Sequence, residues 1–312
     1  MEKNSKIFIV GHKDVVEESL IRYFKENDFT QVFSSSQLGL DTTIQSSVNR
    51  FFADHKPDYV FLNSIRAGGI KANQENPAEF FYANSASQNN VIYAAHKFAT
   101  KKLLYFSSSC IYPKSCPQPM NPEYLMTSPM ESTSAAYSTA KLAGVKLCQA
   151  YRAQYGFNAI VAVVATAYGV KGDIDASSAH VLDSLIAKFY EAKVKNQSEV
   201  VLWGSGQPCR EFISGDDVAR AAVFLMKHYN KEIPIHIGCG KDISIKGLAQ
   251  MIKEVSGFNG NVVFDPSHPD GAMRKLLDNE PITKLGWVPQ VDIQKGIQEA
   301  FNCYQQKMEF KK

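Results

Sequence analysis

Short apolar runs alternate with helical segments along the first half of the chain, and this alternation constrains the fold more than any other feature. Strands buried in parallel sheets appear as near-continuous apolar runs, and the segments between them supply the crossover helices. The sequence therefore predicts an α/β fold with a doubly wound parallel sheet. The predicted strands are 6–10 (followed by a tight turn at Gly11), 29–33, 57–62, 103–106 and 159–165. The predicted helices are 15–25, 41–55, part of 75–100, and 179–194.

Composition excludes several classes of protein. The 312 residues carry a net charge of +3 with 21% charged side chains, which is too mild to favour a nucleic-acid or membrane partner. No apolar run is long enough to span a bilayer and no signal peptide is visible, so we expect a cytoplasmic protein. Six cysteines without C-x-x-C spacing fit reduced thiols better than a disulfide framework or a zinc site, and we expect no metal.

Hydroxyl and thiol side chains follow directly after the apolar run at 103–106. Ser107, Ser108, Ser109 and Cys110 therefore lie at the carboxyl end of a predicted strand. In open parallel sheets, ligands bind beyond the carboxyl ends of the strands. This segment is the first candidate for a functional site.

Tyr137 and Lys141 form a Tyr-x-x-x-Lys pair in a segment of good helix formers. Residues four apart share one helix face, so the Lys141 ammonium can approach the Tyr137 phenol and lower its pKa from about 10. With a Ser hydroxyl to hold a carbonyl oxygen and a hydride donor alongside, such a pair reduces a carbonyl group. A pair of this kind alone is more often a solvated one on a helix surface. The serine-rich strand end that precedes it favours the catalytic interpretation.

Motifs in the middle and C-terminal parts of the chain match a known pattern. They are residues 108–114, 137–144, 179–182, 201–206, 210–212, 270–271, 274–278 and 285–289. Together they resemble the GDP-L-fucose synthase family, a group of extended short-chain dehydrogenases/reductases with a Rossmann-type sheet. The resemblance spans nearly the whole chain, and these motifs are specific.

The resemblance implies that a 4-keto sugar is epimerised at C3 and C5 and then reduced at C4. A C–H beside a ketone is acidic, so a thiolate can take its proton while an imidazole or water returns one on the opposite face. The resemblance assigns these steps to Cys110 and His180; without the matching motifs, an inert core cysteine and a structural histidine would be the better interpretation. The implied catalytic residues are Ser108, Ser109, Cys110, Tyr137, Lys141 and His180.

The resemblance also implies NADP as the cofactor, bound where the first strand turns into the first helix. After the second predicted strand, however, residues 34–37 replace the Arg that would hold a 2′-phosphate, and Asp41 is only a weak candidate for a ribose ligand. The family's Pro-Thr-Asn segment is also missing at 163–169. NAD, or no cofactor, therefore stays open. The implied cofactor residues are Gly11, His12, Lys13, Lys141 and His180.

The glycine-rich turn departs furthest from the family pattern. Of the three glycines in G-x-x-G-x-x-G only Gly11 remains, and Asp14 and Glu17 stand at the other two positions. A carboxylate ~5 Å from a phosphate costs about 3 kcal/mol at an effective dielectric of ~20, whereas a helix N-terminus returns about 0.3–1 kcal/mol. We therefore expect weakened cofactor binding, unless both acids turn away or pair with Lys13.

Four further residues are implied substrate contacts. Arg210 can clamp a diphosphate, and Trp203 can cover a ring or base. The alternatives are a packing role for Trp203 and a surface charge for Asp278. Residues 68–73 resemble the family's loop beside the active site, although the preceding residues 63–66 are atypical. The implied substrate contacts are Lys188, Trp203, Arg210 and Asp278.

Two classes of function follow from this combination. The first is a nucleotide-sugar epimerase/reductase acting on a GDP-4-keto-6-deoxymannose-like sugar. The alternative is a cofactor-impaired homologue that acts as an epimerase only or as a noncatalytic partner subunit. The changed glycine turn favours the alternative, and the intact Ser109, Tyr137 and Lys141 favour the enzyme.

The resemblance has implications for architecture as well. Residues 1–170 are expected to form a Rossmann domain, to which later segments return, and residues 171–312 mainly a smaller substrate-binding domain. A homodimer through two helices per subunit is implied. The helix of Tyr137 is a candidate for that interface, because Ala140, Ala143 and Gly144 permit close packing.

Overall fold

The computed structural model describes residues 1–169, 181–268 and 270–310. No helix within these ranges is long and apolar enough to cross a membrane. The strands are β1 (Ile7–Val10), β2 (Val32–Ser34), β3 (Tyr59–Leu62), β4 (Lys102–Ser108), β5 (Ala159–Val164), β6 (Thr166–Tyr168), β7 (Glu199–Trp203), β8 (Cys209–Ser214), β9 (Ile235–Ile237), β10 (Asp242–Ser244), β11 (Asn261–Asp265) and β12 (Arg274–Lys275). The helices are α1 (Val15–Glu26), α2 (Ser35–Leu38), α3 (Gln45–His55), α4 (Ile70–Glu75), α5 (Pro77–Lys97), α6 (Ala135–Tyr155), α7 (Val181–Val194), α8 (Gly215–His228), α9 (Ile245–Ser256), α10 (Glu280–Lys284) and α11 (Ile293–Phe310).

The main sheet is parallel throughout the described residues. Its six strands follow the order β2-β1-β3-β4-β5-β9. Helices α1 and α8 pack against each other, as do α5 and α6, and both α6 and α8 contact the central strand β4. Strands β1, β4 and β5 are therefore almost wholly buried. The predicted α/β doubly wound sheet is confirmed.

Element boundaries differ from the prediction in several places. Strand β2 begins at Val32 rather than at residue 29, because the Phe29 N–H closes the end of α1 on the Phe24 carbonyl. Strand β4 continues beyond Phe106 to Ser108, which pairs in register with Val164 of β5. Helix α3 begins four residues later than expected, at Gln45 rather than 41. Residues 179–180 of the predicted fourth helix lie outside the described residues.

The C-terminal half contributes to two hydrophobic clusters. Helices α7, α9 and α11 bury one cluster of their own, which includes Phe189, Leu248 and Ile297. Strand β8 pairs with β6, β10 and β12, and β7 pairs with β11. Strand β9 instead completes the main sheet beside β5. The division of the chain near residue 170 stays a prediction.

Helix α6 packs unusually close to strand β4. A Cβ added at Gly144 would lie 2.4 Å from the Tyr105 Oη, so only glycine allows this approach. Ala140 is also fully buried, and its carbonyl accepts a hydrogen bond from Gln88 on α5. The expectation that Ala140 and Gly144 face another subunit is therefore wrong. Of the three small residues, only Ala143 is exposed.

Candidate active site

The carboxyl end of β4 turns sharply and places Cys110 beside Ser108. A short 3-10 turn, Ser109–Ile111, follows the strand directly. The Ser108 hydroxyl caps this turn by accepting a hydrogen bond from the Cys110 N–H at 3.3 Å. Ser108, Ser109 and Cys110 are all half-buried at this edge of the sheet. The structure thus brings the predicted hydroxyl and thiol groups together.

Tyr137 reaches the same edge from the first turn of α6. Its phenol oxygen lies 3.1 Å from the Ser64 hydroxyl, which follows β3. Burial raises the pKa of Tyr137, and hydrogen bonds from Ser64 and Ser108 offset this only in part. The prediction of a lowered phenol pKa is therefore wrong for the protein as folded here. At neutral pH the Tyr137 phenol carries its proton.

Lys141 lies one turn further along α6 and is also buried. Its ammonium lies 4.1 Å from the centroid of the Tyr105 ring, a cation–π contact. Burial lowers the pKa of Lys141 to about 7, although the carboxylate of Asp14 acts in the opposite direction. A cation with so little compensation favours the arrival of an anion or of a hydrogen-bonding ligand.

Cys110 sits among cations. Its Sγ lies 3.6 Å from the Nζ of Lys275, which ends β12. Burial alone would raise the pKa of the Cys110 thiol, but the Lys275 ammonium, a Ser108 hydrogen bond and the Arg210 guanidinium outweigh it, so the pKa lies below its ordinary value. Sequence reasoning gave Lys275 no role. Its position inside the matching segment 274–278 was the available signal.

The predicted substrate contacts differ in how they are placed. Arg210 on β8 lies close enough to Cys110 for the two groups to influence each other's pKa, and burial lowers the pKa of the guanidinium. Lys188 on α7 donates to the Val201 carbonyl at 3.2 Å, and burial lowers its pKa. Trp203, which ends β7, is 60% exposed and its ring stacks on His268 at 4.1 Å between centroids, so it is not a core packing residue.

Asp278 and the predicted loop at 68–73 are the remaining positions, and residues 70–73 of that loop form the start of helix α4. The Asp278 carboxylate accepts hydrogen bonds from the Asn121 side chain at 3.4 Å and the Glu280 N–H at 3.1 Å, so it is more than a free surface charge. A Cβ added at Gly271 would lie 3.3 Å from the Arg210 Nη2 and 3.9 Å from the Ile70 Cδ1. Gly271 therefore lies beside both the Arg210 guanidinium and the Ile70 side chain at the start of α4. His180 lies outside the described residues.

The turn between β1 and α1 is held in place by the carboxylates of Asp14 and Glu17. Asp14 caps α1, because its Oδ1 accepts the Glu17 N–H at 2.9 Å, and its Oδ2 accepts from Asn63 at 2.7 Å. The His12 ring nitrogen Nδ1 lies 2.8 Å from the Ser64 carbonyl oxygen. Gly11 donates its N–H to the Ser35 hydroxyl at 3.1 Å. Both carboxylate oxygens of Asp14 are thus engaged, one by the first turn of α1 and the other by Asn63.

Glu17 is fully buried beneath the turn. Its Oε2 accepts the Lys13 backbone N–H at 2.6 Å, and its Oε1 accepts the hydroxyls of Ser34 at 2.5 Å and Ser36 at 2.7 Å. A Cβ added at Gly11 would lie 2.8 Å from the Glu17 Oε2. Both acids are therefore engaged by hydrogen bonds within the fold, and Glu17 takes a backbone amide of the turn rather than the Lys13 ammonium.

A Rossmann-type sheet with Ser, Tyr and Lys at its carboxyl edge defines the class of short-chain dehydrogenase/reductase enzymes. A model described as "NAD dependent epimerase/dehydratase family" matches residues 7–240. The chain belongs to this family. It is 42% identical over 312 residues to "Putative GDP-L-fucose synthase 2" of Arabidopsis thaliana, covering 100% of this chain and 95% of that protein.

Two solved structures can be superposed on this chain over almost its whole length. A GDP-6-OMe-4-keto-L-xylo-heptose reductase from Campylobacter jejuni is 33% identical with a TM-score of 0.92, covering 98% of this chain and 99% of that one. A GDP-mannoheptose C4 reductase from the same organism, with NADP bound, is 34% identical with a TM-score of 0.89 and the same coverage. The family resemblance read from the motifs is confirmed.

Proposed function

We propose that this chain is an NADP-dependent nucleotide-sugar epimerase/reductase. Its substrate is a GDP-4-keto-6-deoxymannose-like sugar, which it inverts at C3 and C5 and then reduces at C4. The observation that carries this proposal is the meeting of Ser108, Cys110 and Tyr137 at the carboxyl end of β4, with Arg210 and Lys275 beside the thiol. The relatives support it, since they are named for GDP-L-fucose synthesis or for reduction of GDP-heptoses.

The reduction step needs a proton donor and a holder for the carbonyl oxygen. Tyr137 is protonated at neutral pH because burial raises its pKa, so the phenol can donate to an oxygen that gains negative charge. The Ser108 hydroxyl faces the same phenol and can hold that oxygen in place. NADP, when bound, supplies the hydride.

The epimerisation step needs a base beside a ketone. The Lys275 ammonium, the Ser108 hydrogen bond and the Arg210 guanidinium lower the pKa of the Cys110 thiol despite its burial, so its thiolate forms more readily than that of an ordinary cysteine. The carbonyl at C4, held by Tyr137 and Ser108, acidifies the neighbouring C–H bonds because the enolate spreads its charge onto oxygen. The same hydroxyl pair therefore serves both reactions.

The residues fit NADP at the nicotinamide end better than at the pyrophosphate end. Tyr137, Ser108 and the buried, weakly compensated Lys141 suit the reacting end and its ribose hydroxyls. At the turn, Gly11, His12 and Lys13 would hold the pyrophosphate, but Glu17 already accepts the Lys13 N–H at 2.6 Å. Cofactor binding therefore requires the Glu17 carboxylate to release this amide.

Glu17→Gly should tighten NADPH binding. A hydrogen bond to a charged group contributes about 1.5–3 kcal/mol, so removing this internal competitor corresponds to roughly 10–100-fold in the dissociation constant. Titration calorimetry or NADPH fluorescence would measure it. Glu18→Gly, at the next position of the same helix, controls for the cost of glycine in α1. Equal affinity in the two variants would contradict the role given to Glu17.

Tyr137→Phe should abolish carbonyl reduction and leave affinity for the nucleotide sugar nearly unchanged. The phenol is needed mainly in the transition state, and a general acid contributes about 100-fold or more to the rate. NADPH oxidation and calorimetric binding of the GDP-sugar would separate the two effects. Tyr93→Phe on α5 is the control. Equal turnover by Tyr137→Phe and the wild type would remove Tyr137 from the mechanism.

Epimerisation should be visible as hydrogen exchange without any reduction. In deuterated water and without NADPH, the keto sugar should take up deuterium at C3 or C5, as followed by NMR. Cys110→Ser should slow this about 100-fold or more, because an alkoxide is far harder to form than a thiolate and a general base contributes that much. Cys116→Ser, at a nearby half-buried cysteine, should exchange at the wild-type rate. No exchange in the wild type, with or without NADPH, would refute the epimerase assignment.

A homodimer through α5 and α6 completes the proposal. The two helices pack side by side, and α5 exposes Tyr82 (68%) and Tyr93 (37%) on one face. Light scattering should give twice the mass of the 34.7 kDa chain, and Tyr82→Glu should shift it toward the monomer, since the charge would be buried at the interface. Val194→Glu, at an exposed position on α7, is the control. A monomer at all concentrations would refute the dimer.

A further inference from the structure

Lys275 and Arg210 approach Cys110 from neighbouring strands. Strand β12 runs parallel to β8, and Lys275 is the register partner of Arg210. Side chains at paired positions of adjacent strands project to the same face of a sheet. The Lys275 ammonium thereby reaches 3.6 Å from the Cys110 Sγ, although the two residues lie 165 positions apart in the chain.

The placement of Lys275 is built into the strand pairing. Its neighbour Leu276 donates its N–H to the Gln118 side chain at 2.8 Å, and Leu277 donates to the buried Glu211 carboxylate at 2.9 Å. Leu277 also forms a bridge with Met120, ten residues beyond Cys110. These contacts tie the segment after β12 to the segment after β4. They hold the ammonium next to the thiol.

Among the residues that the structure describes, Lys275 forms no ion pair with a carboxylate. Its neighbour Arg274 pairs with Asp242 at 2.5 Å, and Lys114 pairs with Glu131 at 3.3 Å. Within residues 1–169, 181–268 and 270–310, no carboxylate oxygen lies within 4.0 Å of the Lys275 ammonium. The polar group that it contacts at hydrogen-bonding distance is the Cys110 sulfur. A half-buried cation in this position favours the anionic form of its partner.

We propose that Lys275 is a positioning residue that holds the Cys110 side chain as a thiolate, ready to act as the base in epimerisation. The base role of Cys110 rests on the proposed function; the effect of Lys275 on the thiol does not. Among the described residues, the charged and titratable groups that face the sulfur are Lys275 on β12, Arg210 on β8 and Tyr137 on α6, and the Ser108 hydroxyl faces it from β4.

The proton balance is closed with Lys275 remaining an ammonium throughout. The Cys110 thiolate takes the proton of a C–H bond beside the ketone, the S–H bond forms, and the C–H electron pair passes into the enolate. Water on the opposite face protonates the carbon and leaves hydroxide. The hydroxide removes the proton from the Cys110 thiol, which restores the thiolate. The sugar carbon is inverted and nothing is oxidised or reduced.

The test is the pH dependence of alkylation at Cys110. Iodoacetamide reacts with the thiolate, and mass spectrometry of the Cys110 peptide separates it from the other five cysteines. In the wild type, the midpoint should lie below the ordinary cysteine value of about 8.5. In Lys275→Met, it should rise by about one pH unit or more, so the rate at pH 7 falls roughly tenfold. The Cys110 midpoint would still be lowered in part, because the Arg210 guanidinium remains beside the thiol.

Matched variants separate charge from shape. Lys275→Arg keeps a cation and should keep most of the lowered midpoint, whereas Arg274→Met, the adjacent cation paired with Asp242, should leave the Cys110 profile unchanged. The Cys303 peptide serves as an internal reference in every sample. An unchanged Cys110 midpoint in Lys275→Met overturns the proposal. If that variant does not fold, a wild-type midpoint at or above about 8.5 overturns it equally.

Deuterium exchange distinguishes this proposal from the function on which it rests. In Lys275→Met, the rate of exchange at C3 and C5 should fall about tenfold at pH 7 and recover as the pH is raised, which a merely misfolded site would not do. If the wild type shows the lowered alkylation midpoint but no exchange, the epimerase assignment fails while the effect of Lys275 stands. If exchange occurs and Lys275→Met exchanges at the wild-type rate at every pH, Lys275 has no part in it.

Discussion

The hydrogen-bond register of the parallel sheet brings Ser64, Ser108 and Cys110, which follow or end its strands, to one edge. Strand β4 is fixed on both sides, with Leu62 of β3 opposite Tyr105 and Val164 of β5 opposite Ser108. Because all three strands run in the same direction, their carboxyl ends open onto one edge of the sheet. The residues after β3 and β4 therefore meet there. Gly144 lets α6 approach that edge closely enough for Tyr137 to join them.

The described residues compensate only in part for the charges of the cations at this edge. The pKa of Lys141 falls to about 7 because the side chain is buried, and burial also lowers the pKa of Arg210. Within the described parts of the chain, Lys275 contacts a thiol rather than a carboxylate. Burying a cation without an anion is costly unless a ligand brings one. A nucleotide diphosphate and an enolate oxygen are both anionic. Binding such a group would therefore offset the free-energy cost of burying these cations.

Much of this arrangement was predictable from the sequence, and the predictions that were wrong or incomplete failed for physical reasons. Apolar runs located β1, β3, β4 and β5, since strands buried on both faces leave a strong local pattern. When a helix is buried on more than one side, the local sequence pattern does not show whether a small residue packs against the same subunit or against another one. The prediction for Ala140 and Gly144 was wrong for that reason. The local pattern also does not reveal contacts set by a two-residue strand such as β12, which brings Lys275 to Cys110.

The turn between β1 and α1 shows how the fold can accommodate a departure from the glycine-rich sequence pattern. The third glycine of the pattern normally permits close packing of helix and strand, yet Glu17 occupies that position and is fully buried. Its carboxylate is satisfied by three donors, the Lys13 N–H and the hydroxyls of Ser34 and Ser36. The one glycine that remains, Gly11, is required because a Cβ would collide with Glu17 itself. The turn is thus folded around an internal anion, and each hydrogen bond to that charge is worth about 1.5–3 kcal/mol. An external phosphate would have to compete with a carboxylate that is already in place, so we expect Glu17, as well as the shape of the turn, to limit the affinity for a dinucleotide.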